Sequence, residues 1–318
     1  MNRIERIIKA MSSGLVPLLF VLFLHGACAF GSEFPKDLRA ALGRAFENDQ
    51  DPYASWYEDK WPQMRYPVKQ AERGDYLLFD NLRNGIYEDI DGVKRGNWSS
   101  ALIDLDAIKS VSFMLCVFKI DVGPISYPAG HGQMLFEFED GAVLTPEGET
   151  KGLMVSYEAF REKGLAYSAF KGLKKTYKSV FVLATIEDAF QVAQDRYNEV
   201  KVIELDLEKN QRRRLFESFM EEAFDKEMLQ NRWYHTTRCS CISNQIRMLN
   251  KILPSERKIK EWHSIFGLNI IRTFGTTFPR RVDDTLHKAG ITLGEAHLKN
   301  PEEMAAFAQE HYLRHGRE

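Results

Sequence analysis

The sequence is short of cysteine, of long apolar runs and of any charge imbalance, and each shortage excludes a class of protein. Its 318 residues contain four cysteines, and 43 basic against 45 acidic side chains give a net charge of −2. This balance offers no argument for nucleic-acid binding, so we expect no nucleic-acid partner. Three cysteines lie beyond residue 30, an odd number that does not make a disulfide framework.

Motifs for cofactors are also missing. The chain has no glycine-rich phosphate loop, no internal repeat and no cluster of cysteine and histidine at metal-ligand spacing. We therefore expect neither a cofactor nor a metal ion. If the protein is exported, its free thiols then need an explanation other than a metal site.

Export itself is predicted from the N-terminus. Three basic residues precede an apolar stretch at residues 15–24, and the small-residue triplet "ACA" ends at Ala29. This pattern is typical of a secretory signal peptide, here residues 1–29, and it predicts an exported, periplasmic protein. Lipidation at Cys28 and an uncleaved membrane anchor stay open as alternatives, although the apolar stretch is short against the roughly 20 residues of a membrane span.

The rest of the chain divides into three parts. Residues 30–105 are predicted to be an irregular, partly helical extension, residues 106–253 the main domain, and residues 254–318 a helical C-terminal extension. "SVSFMLCVFKI" predicts a central strand apolar on both faces, with Cys116 as a buried filler. "HGQMLFEFED" alternates as a strand does, whereas "SYEAFREKG" suggests a short helix closed by Gly164. The pattern favours an α+β fold.

The segment "WYHTTRCSCISNQIRMLN" carries two of the three remaining cysteines. If Thr236 or the next threonine caps a helix here, Cys239 lies in its first turn, where free N–H groups and the helix dipole stabilise a thiolate. Four residues spaced 3, 4 and 3 would share the apolar face of that helix: Cys239, Ile242, Ile246 and Leu249. Cys241 would point along another face, with Gln245 and Met248. Cys239 is therefore the candidate nucleophile.

A cysteine nucleophile needs a base, and His131 is the best-placed histidine. It begins the predicted strand after a glycine loop, so a strand-borne histidine would face a helix-borne cysteine. Gln133 and Glu137 share its side of the strand and are candidates for orienting it. Three residues near the cysteine are candidates for lining the site: Tyr234, Arg238 and Ser240. A buried, inert Cys239 and a redox pair formed by the two cysteines stay open as alternatives.

Four sequence blocks, in order, also resemble a known family. They are "PAGHGQMLFEF", "FKGLKKTYKSVF", "RYNEVKVIELDL" and "WYHTTRCSC". Together they are similar to the Lnb N-terminal periplasmic domain family, whose cysteine is usually preceded by asparagine rather than by an arginine such as Arg238. The resemblance implies a circularly permuted papain-like fold of the NlpC type, related to lecithin:retinol acyltransferase, with an antiparallel sheet packed on the cysteine-bearing helix.

The resemblance also implies a chemistry. It assigns Cys239 as nucleophile and His131 as base of a thiol-dependent acyltransferase or hydrolase, as in a bacterial lipoprotein N-acyltransferase. The expected partners are then phospholipid and lipoprotein, with peripheral membrane contact, or a cell-wall substrate. Two other functions remain: a peptidoglycan amidase or endopeptidase, which favours an open polar groove, and a non-catalytic binding or scaffold domain. The acyltransferase favours an apolar tunnel.

Overall fold

A single large sheet carries the candidate site residues. The computed structural model describes residues 34–42, 57, 59–122, 125–236, 238–259 and 279–312, so the predicted signal peptide lies outside the described residues. The strands of the sheet are β1 Val68–Arg73, β2 Tyr76–Glu88, β3 Lys94–Asp104, β4 Ile108–Val122, β5 Ile125–Phe138, β6 Val143–Thr145, β7 Gly148–Glu149, β8 Gly152–Phe160, β9 Lys178–Thr185, β10 Glu199–Leu205 and β11 Thr292–Leu298.

These strands follow the order β11-β10-β4-β5-β8-β9-β2-β3-β6-β7, and β1 pairs with β2. The pairings are antiparallel except for that of β2 with β9. The helices are α1 Lys36–Leu42, α2 Ile186–Arg196, α3 Lys209–Phe224, α4 Lys226–Asn231, α5 Cys241–Ile252, α6 Pro279–Lys288 and α7 Pro301–His311. In the part of the chain that the structure describes, no helix has the length and apolarity to cross a membrane.

Helices cover both faces of the sheet, which explains why β4 is apolar on both sides. Along β4, Phe113 and Leu115 join one buried cluster with side chains of α3 and α5. Met114 and Cys116 join the other, with side chains of α2 and α7. Successive strand residues point to opposite faces, so a central strand between two helical layers must be apolar throughout. The predicted central strand is confirmed, and Cys116 is fully buried.

The structure corrects the predicted organisation at three places. Residues 68–104 are not irregular, because β1, β2 and β3 belong to the main sheet. The C-terminal part is not purely helical, because β11 pairs with β10. Residues 152–160 form β8 rather than entering a helix. Pairing with a neighbouring strand stabilises these strands more than local propensity does, and a single segment does not record its partner.

The sheet forks between β5 and β8. These strands pair from Glu137 opposite Gly152 to Gln133 opposite Ser156. Beyond that point β5 continues only along β4, and β8 continues only along β9. His131 is two residues past Gln133 and on the same face of β5, so the gap between the two strands opens at His131. Helix α5 begins next to this gap.

A glycine allows α5 to approach this fork. A Cβ atom on Gly132 would lie 2.8 Å from a ring carbon of Phe113 and 2.9 Å from Cγ1 of Ile242. Both neighbours are fully or almost fully buried, so neither has space to move. The missing side chain thus sets the distance between β5 and the first turn of α5.

We expect Gly132→Ala to destabilise the fold by about 1–3 kcal/mol, the usual cost of forcing extra volume into a packed core. Urea unfolding followed by circular dichroism measures it. Gly294→Ala is the matched control, because a Cβ on that strand glycine has no atom within 4 Å. Equal stability of the two variants would contradict the packing role of Gly132.

Candidate active site

The helix that carries the cysteines begins at Cys241. Ser240 is its N-cap: the Ser240 hydroxyl accepts a hydrogen bond from the Ser243 backbone N–H, and the Ser243 hydroxyl accepts one from the Ser240 N–H. This reciprocal pair is the capping box that starts a helix. Cys241 is therefore the first helical residue, where the unpaired N–H groups and the positive end of the helix dipole lie.

Cys239 lies before the helix, contrary to the sequence prediction. Its backbone exchanges two hydrogen bonds with that of His235, of 3.0 and 3.1 Å, which join these two residues in an isolated antiparallel bridge. The Cys239 sulfur lies 3.0 Å from the hydroxyl of Tyr157. Burial, together with this sulfur, raises the pKa of Tyr157. Because the cap is Ser240 rather than a threonine, the helix begins three or four residues later than predicted, and Cys241 takes the first turn.

Cys241 is the cysteine that the fold brings to His131. The face of α5 that carries Cys241 is buried against the sheet, since the Gln245 side chain donates a 3.1 Å hydrogen bond to the Val155 carbonyl of β8. This is the face that the sequence analysis placed away from the histidine. Cys241 and His131 line the same cleft, close enough for the charge and the side chain of the histidine to lower the pKa of the thiol. The predicted pairing of Cys239 with His131 is thus replaced by Cys241 with His131.

An acidic residue holds the other side of the histidine ring. The Nε2 atom of His131 lies 2.9 Å from a Glu158 carboxylate oxygen and 3.0 Å from the Ser156 hydroxyl. That hydroxyl in turn donates a 2.8 Å hydrogen bond to Glu158. With Nε2 engaged in this way, Nδ1 is the ring nitrogen left for the thiol. A thiol, an imidazole and a carboxylate are therefore arranged in series.

The electrostatics of the series favour a charged pair. Burial alone would lower the pKa of His131, but the Glu158 carboxylate holds that pKa well above its usual range. Burial alone would raise the pKa of Cys241, but the charge and the hydrogen bond of His131 lower it below its usual value. Despite burial, His131 lowers the pKa of Glu158 to about 2. Thiolate and imidazolium therefore stabilise each other.

The remaining cysteine is chemically different. Cys116 lies opposite His131 in the pairing of β4 with β5. Burial raises its pKa to about 12. A thiol with such a pKa stays protonated at neutral pH, so Cys116 is inert packing.

A cleft of about 450 Å³ opens onto Cys241, His131 and Glu158. Aromatic and small apolar side chains line it close to the thiol, among them Tyr234 and Ile242. Three basic residues also line it: Lys119, Arg161 and Arg196. In the described parts of the chain none of these three forms a salt bridge; Arg161 lies 4.6 Å from the ring centre of Trp61, and Arg196 donates to the Gln63 side chain.

Comparison with known proteins adds one match. The family model described as the Lnb N-terminal periplasmic domain matches residues 94–272, more than half of the chain. The chain belongs to the Lnb N-terminal periplasmic domain family. Neither the curated proteins nor the solved structures contain a significant match. The resemblance inferred from the four sequence blocks is thus confirmed, and the matched range includes all three residues of the series.

Within this Lnb N-terminal domain, the other predicted site residues have different positions. Tyr234 is buried and lines the cleft, with its hydroxyl 3.9 Å from the Cys241 sulfur. Gln133 is buried beside Ser156, and its Oε1 has no hydrogen-bond partner among the residues described. Glu137 lies six residues beyond His131, about 20 Å along a strand, and binds Lys109. It does not orient the histidine. Arg238 is exposed.

Glu158 is the residue that sequence reasoning missed in this Lnb N-terminal domain. The segment around it was interpreted as a helix, which would have placed Glu158 on a solvated surface. The signal that identifies it is the alternation in "GLMVSYEAF": Val155 and Tyr157 enter one core, while Ser156 and Glu158 point to the opposite face. Read as a strand, the segment puts a carboxylate beside the strand that bears His131.

A possible metal site lies elsewhere and is already neutralised. Among the described residues, Asp283, His287 and Glu295 place potential ligand atoms within 4.8 Å of one another. The Lys201 ammonium binds both carboxylates of this group, at 2.5 Å from Asp283 and 3.2 Å from Glu295. A bound ammonium supplies the positive charge that a metal ion would bring, so the cluster is a salt-bridge network.

Proposed function

We propose that this Lnb N-terminal domain is a thiol-dependent acyltransferase or hydrolase with Cys241 as nucleophile, His131 as general base and Glu158 as the group that positions His131. The observation that carries the proposal is the series of thiol, imidazole and carboxylate at the start of α5, inside a cleft. Such a series activates a cysteine in papain-like enzymes. It also supports a permuted papain-like arrangement of the fold.

In the first half of the proposed reaction, the Cys241 thiolate attacks the carbonyl carbon of an ester or amide. A carbon–sulfur bond forms, and the carbonyl electron pair moves to oxygen. The Cys241 backbone N–H, which has only a long 3.5 Å contact with the Tyr234 hydroxyl, supports this oxyanion together with that hydroxyl. When the oxyanion collapses, the bond to the leaving group breaks, and imidazolium His131 gives that group its proton.

In the second half, neutral His131 accepts a proton from an amine or from water as that nucleophile attacks the thioester. The carbon–sulfur bond breaks, the thiolate returns, and His131 is again an imidazolium. Attack by an amine is acyl transfer and attack by water is hydrolysis. Glu158 stabilises the imidazolium at the start and at the end of the cycle without exchanging a proton, which agrees with the lowered pKa of its carboxyl.

The basic lining of the cleft favours an acyl donor that also carries an anionic group. Lys119, Arg161 and Arg196 bring three positive charges near the thiol. The phosphate of a phospholipid satisfies this requirement, which supports transfer of an acyl chain to a lipoprotein amine. Cell-wall stem peptides also carry carboxylates, so the same charges support an amidase or endopeptidase as the second candidate. Both substrates fit the periplasm, to which the proposed signal peptide of residues 1–29 would direct the chain.

Alkylation with iodoacetamide, mapped by mass spectrometry, tests the proposal. We expect Cys241 to react quickly at neutral pH. The pH at which its rate is half-maximal should lie clearly below about 8.5, the pKa of an ordinary thiol. The lowered pKa of Cys241 increases the thiolate fraction in this range, and the raised pKa of His131 favours the imidazolium beside it. Cys116 in the same sample should stay unmodified until unfolding.

Glu158→Gln sharpens this test, because it keeps the shape of the side chain and removes its charge. Without the carboxylate, burial should pull the pKa of His131 down, and the alkylation midpoint of Cys241 should move to higher pH. Glu162→Gln is the matched control, an exposed glutamate on the same segment whose loss should leave the profile unchanged. If the folded protein shows no alkylation of Cys241 below pH 8.5, or Glu158→Gln leaves the midpoint in place, the proposed series is wrong.

A further inference from the structure

The loop between β8 and β9 has an unusually apolar exterior. Among the described residues, six large hydrophobic side chains are exposed, and three of them fall within nine positions of this loop: Leu165, Phe170 and Leu173, at 44%, 67% and 43% exposure. Single exposed apolar residues are ordinary, but several together mark an interaction surface. We refer to residues 161–175 as the β8–β9 loop.

The same loop is strongly basic. It contains five cations, Arg161, Lys163, Lys171, Lys174 and Lys175, and one anion, Glu162, so its net charge is 5 − 1 = +4. The four lysines are exposed, and in the part of the chain that the structure describes none of them forms a salt bridge. The rest of the chain therefore carries a net charge of −6, since −2 − 4 = −6. Positive charge is concentrated here against an acidic background.

The loop is held firmly from its inner side. The Tyr167 hydroxyl lies 2.9 Å from the Thr236 hydroxyl, which donates a 2.8 Å hydrogen bond to the Ala169 carbonyl. The Thr236 backbone N–H donates to the Gly172 carbonyl at 2.9 Å. A Cβ on Gly172 would lie 2.3 Å from the Thr236 hydroxyl, so the two segments are as close as they can be. With its inner side anchored, the loop presents the apolar residues outward at no further ordering cost.

From these observations we propose that the β8–β9 loop docks the protein on an anionic membrane surface. Several apolar side chains interleaved with lysines suit a bilayer interface, where leucine and phenylalanine enter the acyl boundary and ammonium groups meet lipid phosphates. A protein partner would more often require a continuous apolar patch with few lysines. Charge complementarity therefore favours lipid as the occupant.

The position of the loop gives this docking a consequence. Arg161, Tyr167 and Ala169 of the loop also line the cleft that contains Cys241. A membrane seated on the outer side of the loop would lie next to the cleft, and an anionic headgroup would have a short path to its basic lining. The docking does not depend on Cys241 being a nucleophile, so the two proposals can be tested separately.

Quenching of a tryptophan by brominated lipid tests the docking directly. The probes are vesicles of brominated phosphatidylcholine, with or without phosphatidylglycerol, and the protein is the full chain with Phe170→Trp. Relative to wild type, we expect additional quenching with the anionic vesicles, weakened by added salt. Leu293→Trp is the matched control, because Leu293 is 63% exposed but lies on β11, outside the loop. It should show no additional quenching.

Removing charge from the loop gives a second readout. Lys171→Gln, Lys174→Gln and Lys175→Gln together, in the Phe170→Trp background, should weaken vesicle affinity at least about tenfold, because each lysine near an anionic surface contributes appreciably. Cys241→Ala should leave the quenching unchanged. Local quenching reports on this loop even if the N-terminal segment also binds lipid. Three outcomes would overturn the proposal. They are no additional quenching, equal quenching without phosphatidylglycerol, and a change of oligomeric state that Phe170→Ser causes in the absence of vesicles.

Discussion

Cys241→Ala is expected to abolish formation of an acyl-enzyme, whereas Cys239→Ala should leave it nearly unchanged. Only Cys241 has the imidazole of His131 and the free N–H groups of a helix start beside its sulfur. Removing the nucleophile of such a catalytic group costs at least about a thousandfold in rate. Cys239 faces Tyr157 instead and has no comparable base.

An activated p-nitrophenyl ester provides the measurement. Release of p-nitrophenolate reports the first half of the reaction, and intact-protein mass spectrometry detects the thioester. Cys241→Ser keeps the size of the side chain and controls for packing, and circular dichroism confirms that each variant folds. If Cys239→Ala removes the activity and Cys241→Ala retains it, the assignment is wrong. If wild type forms no thioester while its Cys241 thiol is abnormally acidic, the site is a binding site rather than an enzyme.

The largest expected effect on stability concerns a buried ion pair between β2 and α2. Two guanidinium nitrogens of Arg83 lie 2.7 and 2.8 Å from one oxygen of Asp188, and the side chains are only 7% and 1% exposed. Asp188→Ala leaves the arginine charge buried without its partner. We expect a loss of about 3–5 kcal/mol in the free energy of unfolding, measured by urea denaturation.

An exposed pair elsewhere is the control for this change. Asp37 binds Arg73 at 2.9 Å, but these side chains are 63% and 65% exposed. Asp37→Ala should therefore cost no more than about 1 kcal/mol. The double variant Arg83→Met with Asp188→Leu should recover much of the loss, because it removes the orphaned charge as well. Asp188→Ala with a cost no greater than that of Asp37→Ala would contradict this account.

Part of the candidate site was predictable from residue types and order. A histidine on an alternating strand and a cysteine at the start of an apolar helix are local features, and both are present in the structure. The strand, however, already begins at Ile125, so His131 lies in its middle rather than at its start. The choice between the two cysteines depended on a difference of three or four residues in where the helix begins. Sequence patterns determine helix boundaries poorly, because several neighbouring residues here, including Thr236 and Ser240, are able to cap a helix.

The sequence by itself determined that β4 is central, that β5 carries His131, that an amphipathic helix follows the paired cysteines, and that the chain resembles its family. These features depend on side-chain periodicity within one segment, which is readable without knowing its neighbours. The tertiary structure alone decided that Cys241 meets His131 and that Glu158 completes the series. Those contacts join β5, β8 and α5 at the point where two strands separate, and no local pattern records which strands pair or where their pairing ends.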